Sequence, residues 1–245
     1  MLFCKFQFEE KYRIFSKYSN LKIIAPSTWL FHLASTSLLF KNKQLIHIPN
    51  LCDINIFKPM GKGWAKRLFN LSESKKLILF GAATGGMGNI YKGWEYLQKA
   101  ILHLSTSSYE AVIFGEYNKT VEKQLPIKCN FIGKLYDEYS LSVLYNAADV
   151  FVTPSLADNF PNTILESLSC GTPVVAFNVG GIPDLIMHKS NGYLAHYKDC
   201  EDLKKGIEWC VSQYSIQEVC RSSIIKKYSP SLIIEKHKKL MYGKI

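Results

Sequence analysis

The chain has 245 residues, of which 47% are hydrophobic and 20% are charged. This composition is typical of globular proteins, so it argues against disorder throughout, and the length suffices for one or two domains with a core. The formal net charge of +10 favours an anionic partner, such as a nucleotide phosphate, an anionic lipid or a nucleic acid, but it is equally consistent with a basic solvated surface.

The cysteines and the start of the chain bear on its compartment. Seven widely spaced cysteines include no C-x-x-C pair, which favours reduced thiols over a disulfide scaffold or a zinc site. Residues 21–40 contain Lys22, His32 and several hydroxyl side chains, too many for a membrane span. Residues 1–10 lack the pattern of a signal peptide. We therefore expect a cytoplasmic chain, including the inner face of the membrane as a peripheral location.

Short apolar runs alternate along the chain with longer stretches that have helical spacing. The pattern predicts strands over 21–25, 44–48, 76–80, 110–114, 129–132, 150–153 and 173–177, and helices over 27–40, 92–104, 138–148, 163–170, 203–213 and 231–242. Ser27 is the expected N-cap of the first of these helices, and residues 50–63 are the best candidate for a linker. The alternation predicts an α/β protein with a Rossmann-like parallel sheet and helices on both faces.

The loop over residues 81–93 follows a buried-type strand and is rich in glycine. Gly81, Gly85 and Gly86 would let the backbone approach a ligand, and loop N–H groups can bind phosphate. Lys92 precedes a predicted helix, where a cation opposes the helix dipole, and this favours an anionic ligand. The loop matches neither G-x-G-x-x-G nor the P-loop pattern, and a flexible turn is the alternative.

A second informative loop runs from 154 to 171, between a strand and a helix. Pro161 stands at the expected helix start, which is a common place for proline. The N–H groups of Asn162, Thr163 and Ile164 would then be open at the first turn and could bind an anion.

Two carboxylates flank this helix start. Asp158 lies in the loop and Glu166 lies one helical turn in, where each could accept hydrogen bonds from sugar or ribose hydroxyls. Taken alone, Asp158 could be a turn residue and Glu166 an acid favoured by the helix dipole. Further along, Gly180–Gly181 permits a tight turn beside the site, and we assign no chemistry to Asp184, which fits a helix start.

The segment P-S-L-A-D-N-F-P-N-T-I-L-E-S-L-S-C-G-T-P-V-V-A, followed by V-G-G-I-P-D-L-I, resembles the C-terminal half of retaining glycosyltransferases of family 4. These have the GT-B fold, with two Rossmann-like domains around a cleft. The family's E-x7-E pair appears here as Asp158-x7-Glu166. The resemblance implies that Glu166 binds the nucleotide ribose and that Asp158 lies by the donor sugar. It also implies that the backbone with Phe160, Asn162 and Thr163 faces the donor phosphates.

Other segments extend the resemblance over about residues 21–245. In L-F-G-A…Y-K-G-W-E-Y-L, Lys92 matches the family's lysine that neutralises the donor diphosphate, whereas Ala82 replaces the usual arginine. Ile132, in F-I-G, matches the segment that holds the base. No Asp-x-Asp triplet is present, so a donor site without a metal ion is implied, and no cofactor is expected.

The resemblance also implies a division of the chain. Only about twenty residues precede the family's segment at 24–26. We therefore expect 1–55 to be a remnant of the N-terminal acceptor domain with a linker, 56–228 to bind the nucleotide sugar, and 229–245 to be a helix that returns toward the N-terminal domain. The implied reaction is transfer of a hexosyl group from a UDP- or GDP-sugar to a glycan or polyprenyl-linked acceptor, with retention, in polysaccharide biosynthesis.

Alternatives stay open at this point. The chain could be a non-catalytic nucleotide-binding fragment or half of a split enzyme, and low activity is expected of it alone. A nicotinamide-dependent oxidoreductase is disfavoured because Glu116 lies well beyond the position of the acid that such folds place about 20 residues past the glycines. Nucleic acid is not an expected partner, because the cationic cluster of 226–227 and 236–239 comes with no recognition motif. Anionic lipid suits the cluster equally well, and a solvated helix face is the preferred explanation.

Overall fold

The computed structural model describes residues 2–82, 89–116 and 125–243. Its strands are β1 (Lys22–Ala25), β2 (Gln44–His47), β3 (Lys76–Ala82), β4 (Tyr109–Gly115), β5 (Lys128–Gly133), β6 (Val150–Thr153), β7 (Val174–Phe177) and β8 (Gly192–Ala195). Its helices are α1 (Leu2–Ser16), α2 (Thr28–Thr36), α3 (Lys62–Leu68), α4 (Trp94–Ile101), α5 (Glu138–Ala147), α6 (Asn162–Ser169), α7 (Cys200–Ser212), α8 (Ile216–Tyr228) and α9 (Pro230–Tyr242).

The main sheet has six parallel strands in the order β5-β4-β3-β6-β7-β8, and β1 pairs with β2 in a separate parallel sheet. In chain order the six strands therefore run outward in one direction from β3 and then in the other from β6, which is the doubly wound Rossmann arrangement. The prediction of a parallel α/β sheet is confirmed, and the reversal between β3 and β6 marks where a ligand crevice is expected.

Both faces of the sheet are covered, as the uninterrupted apolar run of β3 predicts. Leu77 and Leu79 point into a core cluster that includes residues of α5, α6 and α8. Ile78 and Phe80 point into a second cluster that includes residues of α4 and α7. Because successive strand residues face opposite sides, a strand between two helical layers needs apolar residues at every position.

The helix predicted over 92–104 begins later than expected. Residues 90–92 form a 3₁₀ turn, and Gly93 adopts a left-handed φ of +66° before α4 starts at Trp94. A Cβ at Gly93 would lie only 1.9 Å from the carbonyl oxygen of Pro154. The start was predicted wrongly because the loops after β3 and β6 pack against each other here, and this contact is not visible in local sequence.

Within the described ranges, four elements were not predicted, namely α1, α3, β8 and α8. The end of the predicted linker over 50–63 is helical, since α3 begins at Lys62. Gly61 and Gly63 disfavour a helix here in a prediction from sequence. In the structure, however, Ala65 is fully buried and the Lys66 ammonium lies 3.3 Å from the Asp149 carboxylate. Tertiary contacts therefore stabilise a segment of poor intrinsic helix propensity.

The N-terminal elements contact the C-terminal helix. Lys22 on β1 donates from Nζ to the carbonyl oxygen of Leu240 on α9 at 3.1 Å, and Ile233 of α9 is buried. The division at residues 55 and 228 stays a prediction. Along the described ranges, every helix is too short or too polar to cross a lipid bilayer.

Candidate functional site

The loops that follow β3 and β6 meet at the carboxyl ends of these two adjacent strands. The amide of Leu156 donates to the carbonyl oxygen of Tyr91 at 2.8 Å, and Gly93 lies against Pro154. This is the point where the strand order reverses, and open parallel sheets bind ligands there. The described end of the first loop and the start of the second loop therefore lie side by side.

Lys92 and Asp158 form an ion pair across these loops. Lys92 Nζ lies 3.6 Å from Asp158 Oδ2, and the two side chains are 34% and 20% exposed. A partly exposed cation beside a partly exposed carboxylate offers an anionic ligand one favourable contact and a hydroxyl-bearing ligand one acceptor. The structure thus brings together two residues that are far apart in the sequence.

The turn at Gly180–Gly181 supports the Asp158 loop. Gly180 has a left-handed φ of +59°, and a Cβ there would lie 2.1 Å from the carbonyl oxygen of Asp158. A Cβ at Gly181 would lie 1.7 Å from the carbonyl oxygen of Asn159, and the Gly181 amide donates to the Asp158 carbonyl at 3.1 Å. The predicted tight turn is confirmed. Because its glycines have no side chains, the turn can lie directly on the loop that bears Asp158.

The start of α2 also contacts this loop. Ser27 Oγ donates to Asn159 Oδ1 at 2.7 Å, and the amide of Thr28 donates to Asp184 Oδ2 at 2.6 Å. Ser27 itself caps α2 as predicted, since its hydroxyl accepts from the Leu30 amide. Sequence analysis did not find the role of Asp184 in the α2 terminus, because the residues are far apart in the chain.

Helix α6 begins at Asn162 after Pro161, as the sequence predicts. The amide of Ile164 donates to the Pro161 carbonyl at 3.1 Å, so the prediction that this amide is open is wrong. Asn162 and Thr163 occupy the first two helical positions, where an N–H has no intrahelical carbonyl partner. The side chain of Asn162 accepts from Asn50 Nδ2 at 2.9 Å, which leaves its backbone amide as the candidate ligand contact.

The remaining predicted donor-binding residues are placed as follows. The Phe160 side chain is only 6% exposed and packs edge-on against the Tyr228 ring, so it belongs to the core, and the expected approach of its backbone to the donor phosphates stays a prediction. Ile132 on β5 is partly buried against the core. A Cβ at Gly81 would lie 2.8 Å from the Phe114 ring. Gly85 and Gly86 lie outside the described residues.

Glu166 points into a cavity of about 130 Å³ beside the start of α6. Its Oε2 accepts a hydrogen bond from the Tyr145 hydroxyl at 3.0 Å. Burial raises the pKa of Glu166 to about 7, the Tyr145 hydrogen bond lowers it, and the nearby Glu138 raises it further. The cavity is lined by Leu51, Cys52, Asp53, Phe57, Glu138, Asn162, Leu165 and Glu166.

A larger cavity of about 460 Å³ opens near Lys62, Lys76 and Gly171. It lies beside the amino end of β3, away from the crevice, and the two lysines and Lys66 surround the single carboxylate of Asp149. Ligands of open parallel sheets bind at the carboxyl ends of the strands, so we place the functional site there instead. Over the ranges that the structure describes, no three His, Cys, Asp or Glu side chains cluster to hold a metal ion.

Comparison with known proteins gives a family match over the main sheet. The family model described as "Glycosyl transferases group 1" matches residues 78–213, more than half of the chain. An uncharacterized glycosyltransferase of Methanocaldococcus jannaschii is 30% identical over 176 residues, which are 67% of this chain and 44% of that protein. An uncharacterized glycosyltransferase of Haemophilus influenzae is 29% identical over 164 residues, which are 62% of this chain and 46% of that protein. The chain thus spans just under half the length of these relatives.

Solved structures agree on the fold. Sucrose-phosphate synthase of Thermosynechococcus elongatus superposes with a TM-score of 0.77 at 22% identity, over 91% of this chain and 58% of that one. Anabaena HepE in complex with UDP-glucose superposes with a TM-score of 0.74 at 20% identity, over 92% and 64%. The family model, whose match begins in β3 and ends just after α7, identifies the chain as a member of the group 1 glycosyl transferases.

Proposed function

We propose that this protein binds a nucleotide diphosphate sugar at the crevice between the β3 and β6 loops and transfers the hexosyl group to a glycan or polyprenyl-linked hydroxyl with retention, as family 4 enzymes do. The observation that carries the proposal is the Lys92–Asp158 pair at 3.6 Å, where the strand order reverses. HepE, which has the same fold, is described in complexes with UDP, with UDP and glucose, and with UDP-glucose.

Charge on the leaving group is the main chemical problem of such a transfer. The nucleoside diphosphate gains negative charge as the bond to the sugar breaks, and fixed positive groups stabilise that charge in the transition state. In the proposal, the Lys92 ammonium and the backbone amides of Asn162 and Thr163 supply them. The negative charge of Asp158 then lies beside the sugar, where it orients hydroxyl groups and does not act as a nucleophile.

Recognition of the nucleotide is assigned to Glu166. An ionised carboxylate can accept hydrogen bonds from both hydroxyls of a ribose at once, and such charge-assisted bonds are strong. Asn162 both lines the Glu166 cavity and begins α6, so the phosphates and the ribose of one ligand can be held by the same helix.

Three further parts of the proposal concern the whole protein. We propose that donor binding needs no metal ion, that the protein acts in polysaccharide biosynthesis, and that it works in the cytoplasm or at the inner face of the membrane. The last point is supported by exposed lysines of α8 and α9, which suit anionic lipid. Donor binding is the part of the proposal that can be measured on the purified chain.

The test is calorimetric titration of the purified chain with UDP and GDP. Lys92→Ala and Glu166→Ala should each weaken binding by about 1–3 kcal/mol, because each removes a charge-assisted hydrogen bond. Lys205→Ala and Glu218→Ala remove the same charges from exposed positions on α7 and α8 and should leave the affinity unchanged. Equal affinity of the wild-type chain and both site variants would overturn the proposal.

A further inference from the structure

We infer that Tyr145 is a positioning residue for donor binding, whose hydroxyl fixes the Glu166 carboxylate and favours its ionised form, so that affinity for a nucleotide sugar rises as this carboxylate loses its proton. The inference rests on the proposed role of Glu166. It assigns a role to Tyr145, which the sequence did not single out, and it adds a pH dependence of binding that the proposed function does not include.

The position of the Tyr145 hydroxyl is fixed by its surroundings. The side chain is fully buried, and its ring makes edge contacts with Phe57, Phe114 and Phe151 at centroid distances of 6.3, 6.3 and 5.4 Å. On the main chain, the Tyr145 carbonyl accepts from Thr172 Oγ1 at 2.7 Å. An aromatic side chain enclosed in this way has few accessible rotamers, so its hydroxyl is restricted to one position.

That place is the Glu166 carboxylate. The hydroxyl donates to Oε2 at 3.0 Å, and this bond comes from the core side while Glu166 lines the cavity on its other side. Burial and the adjacent Glu166 raise the pKa of Tyr145 well above its usual value, so the hydroxyl keeps its proton. The hydroxyl therefore stays a donor, and its bond favours the ionised over the protonated carboxylate.

The carboxylate changes its charge within the physiological range. Burial raises the pKa of Glu166 to about 7, against the lowering effect of the Tyr145 hydrogen bond. The two thiols nearby stay neutral there, since burial raises the pKa of Cys52 and of Cys170 to about 12. The titratable and charged groups that face this region from α5, α6, α8 and the loop over 50–57 are Glu138, Tyr145, Cys170, Arg221, Cys52 and Asp53.

The experiment titrates the chain with UDP-glucose and GDP-mannose between pH 6 and pH 8.5. Nucleotide sugars are used because both phosphates are esterified, whereas a terminal phosphate changes charge at about pH 6. If only the ionised carboxylate binds ribose, wild-type affinity should be about tenfold weaker at pH 6 than at pH 8.5. Glu166→Gln, which cannot titrate, should abolish this dependence.

Tyr145→Phe removes only the hydroxyl. We expect the midpoint of the pH profile to move up by about one unit, which makes binding about fivefold weaker at pH 7 and less than twofold weaker at pH 8.5. Tyr193→Phe is the matched control, because Tyr193 is also buried and donates to a carboxylate, that of Asp202, at 2.8 Å outside the site. It should leave the profile unchanged.

A second variant protects the test against a folding defect in Tyr145→Phe. Tyr145→fluorotyrosine keeps the shape and makes the hydroxyl a stronger donor, so the midpoint should move down. A wild-type profile in both Tyr145 variants would overturn the role of Tyr145 while leaving donor binding intact. Failure of the wild-type chain to bind either nucleotide sugar at any pH would instead overturn the proposed function, and this inference with it.

Discussion

Glu166 lies between the core and the small cavity at the start of α6, and this position disfavours its charged form. Its carboxylate is partly buried with one neutral hydrogen-bond donor, so desolvation dominates and raises its pKa to about 7 from an ordinary value of 4.5. Lys92 and Asp158, by contrast, neutralise each other at a more exposed position. A desolvated acid on α6 and a partly exposed ion pair between two loops are therefore two different electrostatic environments.

The pKa of Glu166 predicts how its removal affects stability. Between pH 4.5 and 7 the folded state keeps a proton on Glu166 that the unfolded state has lost, so this residue's contribution to stability falls as the pH rises through that window. Glu166→Gln should therefore gain up to about 3 kcal/mol relative to wild type between pH 4.5 and pH 8. Urea unfolding at both pH values measures this gain. A difference that is equal at both values would contradict the buried-acid interpretation, and Glu218→Gln, at an exposed site, is the control.

At the scale of elements, the site depends on close approach between loops. The turn at Gly180–Gly181 and the residue Gly93 lie where a side chain would overlap a neighbouring carbonyl oxygen. Glycine is needed at these points for space as well as for its backbone conformation. The glycines therefore set how near the β3 loop, the β6 loop and the β7 loop lie to one another.

Gly181→Ala tests this dependence. Its Cβ would lie 1.7 Å from the Asn159 carbonyl oxygen and 2.6 Å from Ser27 Cβ, so the acidic loop must shift. We expect a loss of about 1–3 kcal/mol in the free energy of unfolding and weaker UDP binding. Gly63→Ala is the opposite control, because Gly63 lies inside α3 with contacts of 3.5 Å and should gain about 0.5–1 kcal/mol. Unchanged UDP affinity in Gly181→Ala would show that the turn does not position the loop.

Across the whole molecule, the N-terminal elements are joined to the candidate site by polar contacts. Ser27 bonds Asn159, the Thr28 amide bonds Asp184, and Asn50 bonds Asn162. The first two contacts link the start of α2 to the segments that follow β6 and β7, and the third links the segment after β2 to the first residue of α6. The position of α2 is therefore coupled to the loop that bears Asp158.

Asp184→Ala should weaken this coupling. It removes a carboxylate from the N-terminus of α2, where it meets both a backbone donor and the positive end of the helix dipole, so we expect a loss of about 1–2 kcal/mol. Amide hydrogen exchange should become faster in α2 and stay unchanged in β3. Asp199→Ala, which removes the N-cap of α7, should change exchange in α7 instead. Unaltered exchange in α2 would contradict the role assigned to Asp184.

Much of this architecture follows from the sequence alone. Val150–Thr153 is predicted to the residue, because a short apolar run that is buried on both faces leaves little choice of secondary structure. Asp158 and the pair Gly180–Gly181 come shortly after β6 and β7 end, so they mark loops where a ligand site is expected. These signals are local, and local signals depend on backbone sterics and on the pattern of burial.

The tertiary structure decided what the local signals could not. It brought Lys92 within 3.6 Å of Asp158 and placed the Tyr145 hydroxyl 3.0 Å from the Glu166 carboxylate. It also made a helix of the glycine-rich segment after residue 61, through burial of Ala65 and Lys66. Such contacts join residues that are distant in the chain. Their geometry arises only when the sheet and its helices pack, because the residues next to each partner in the sequence do not determine which distant residue it will meet.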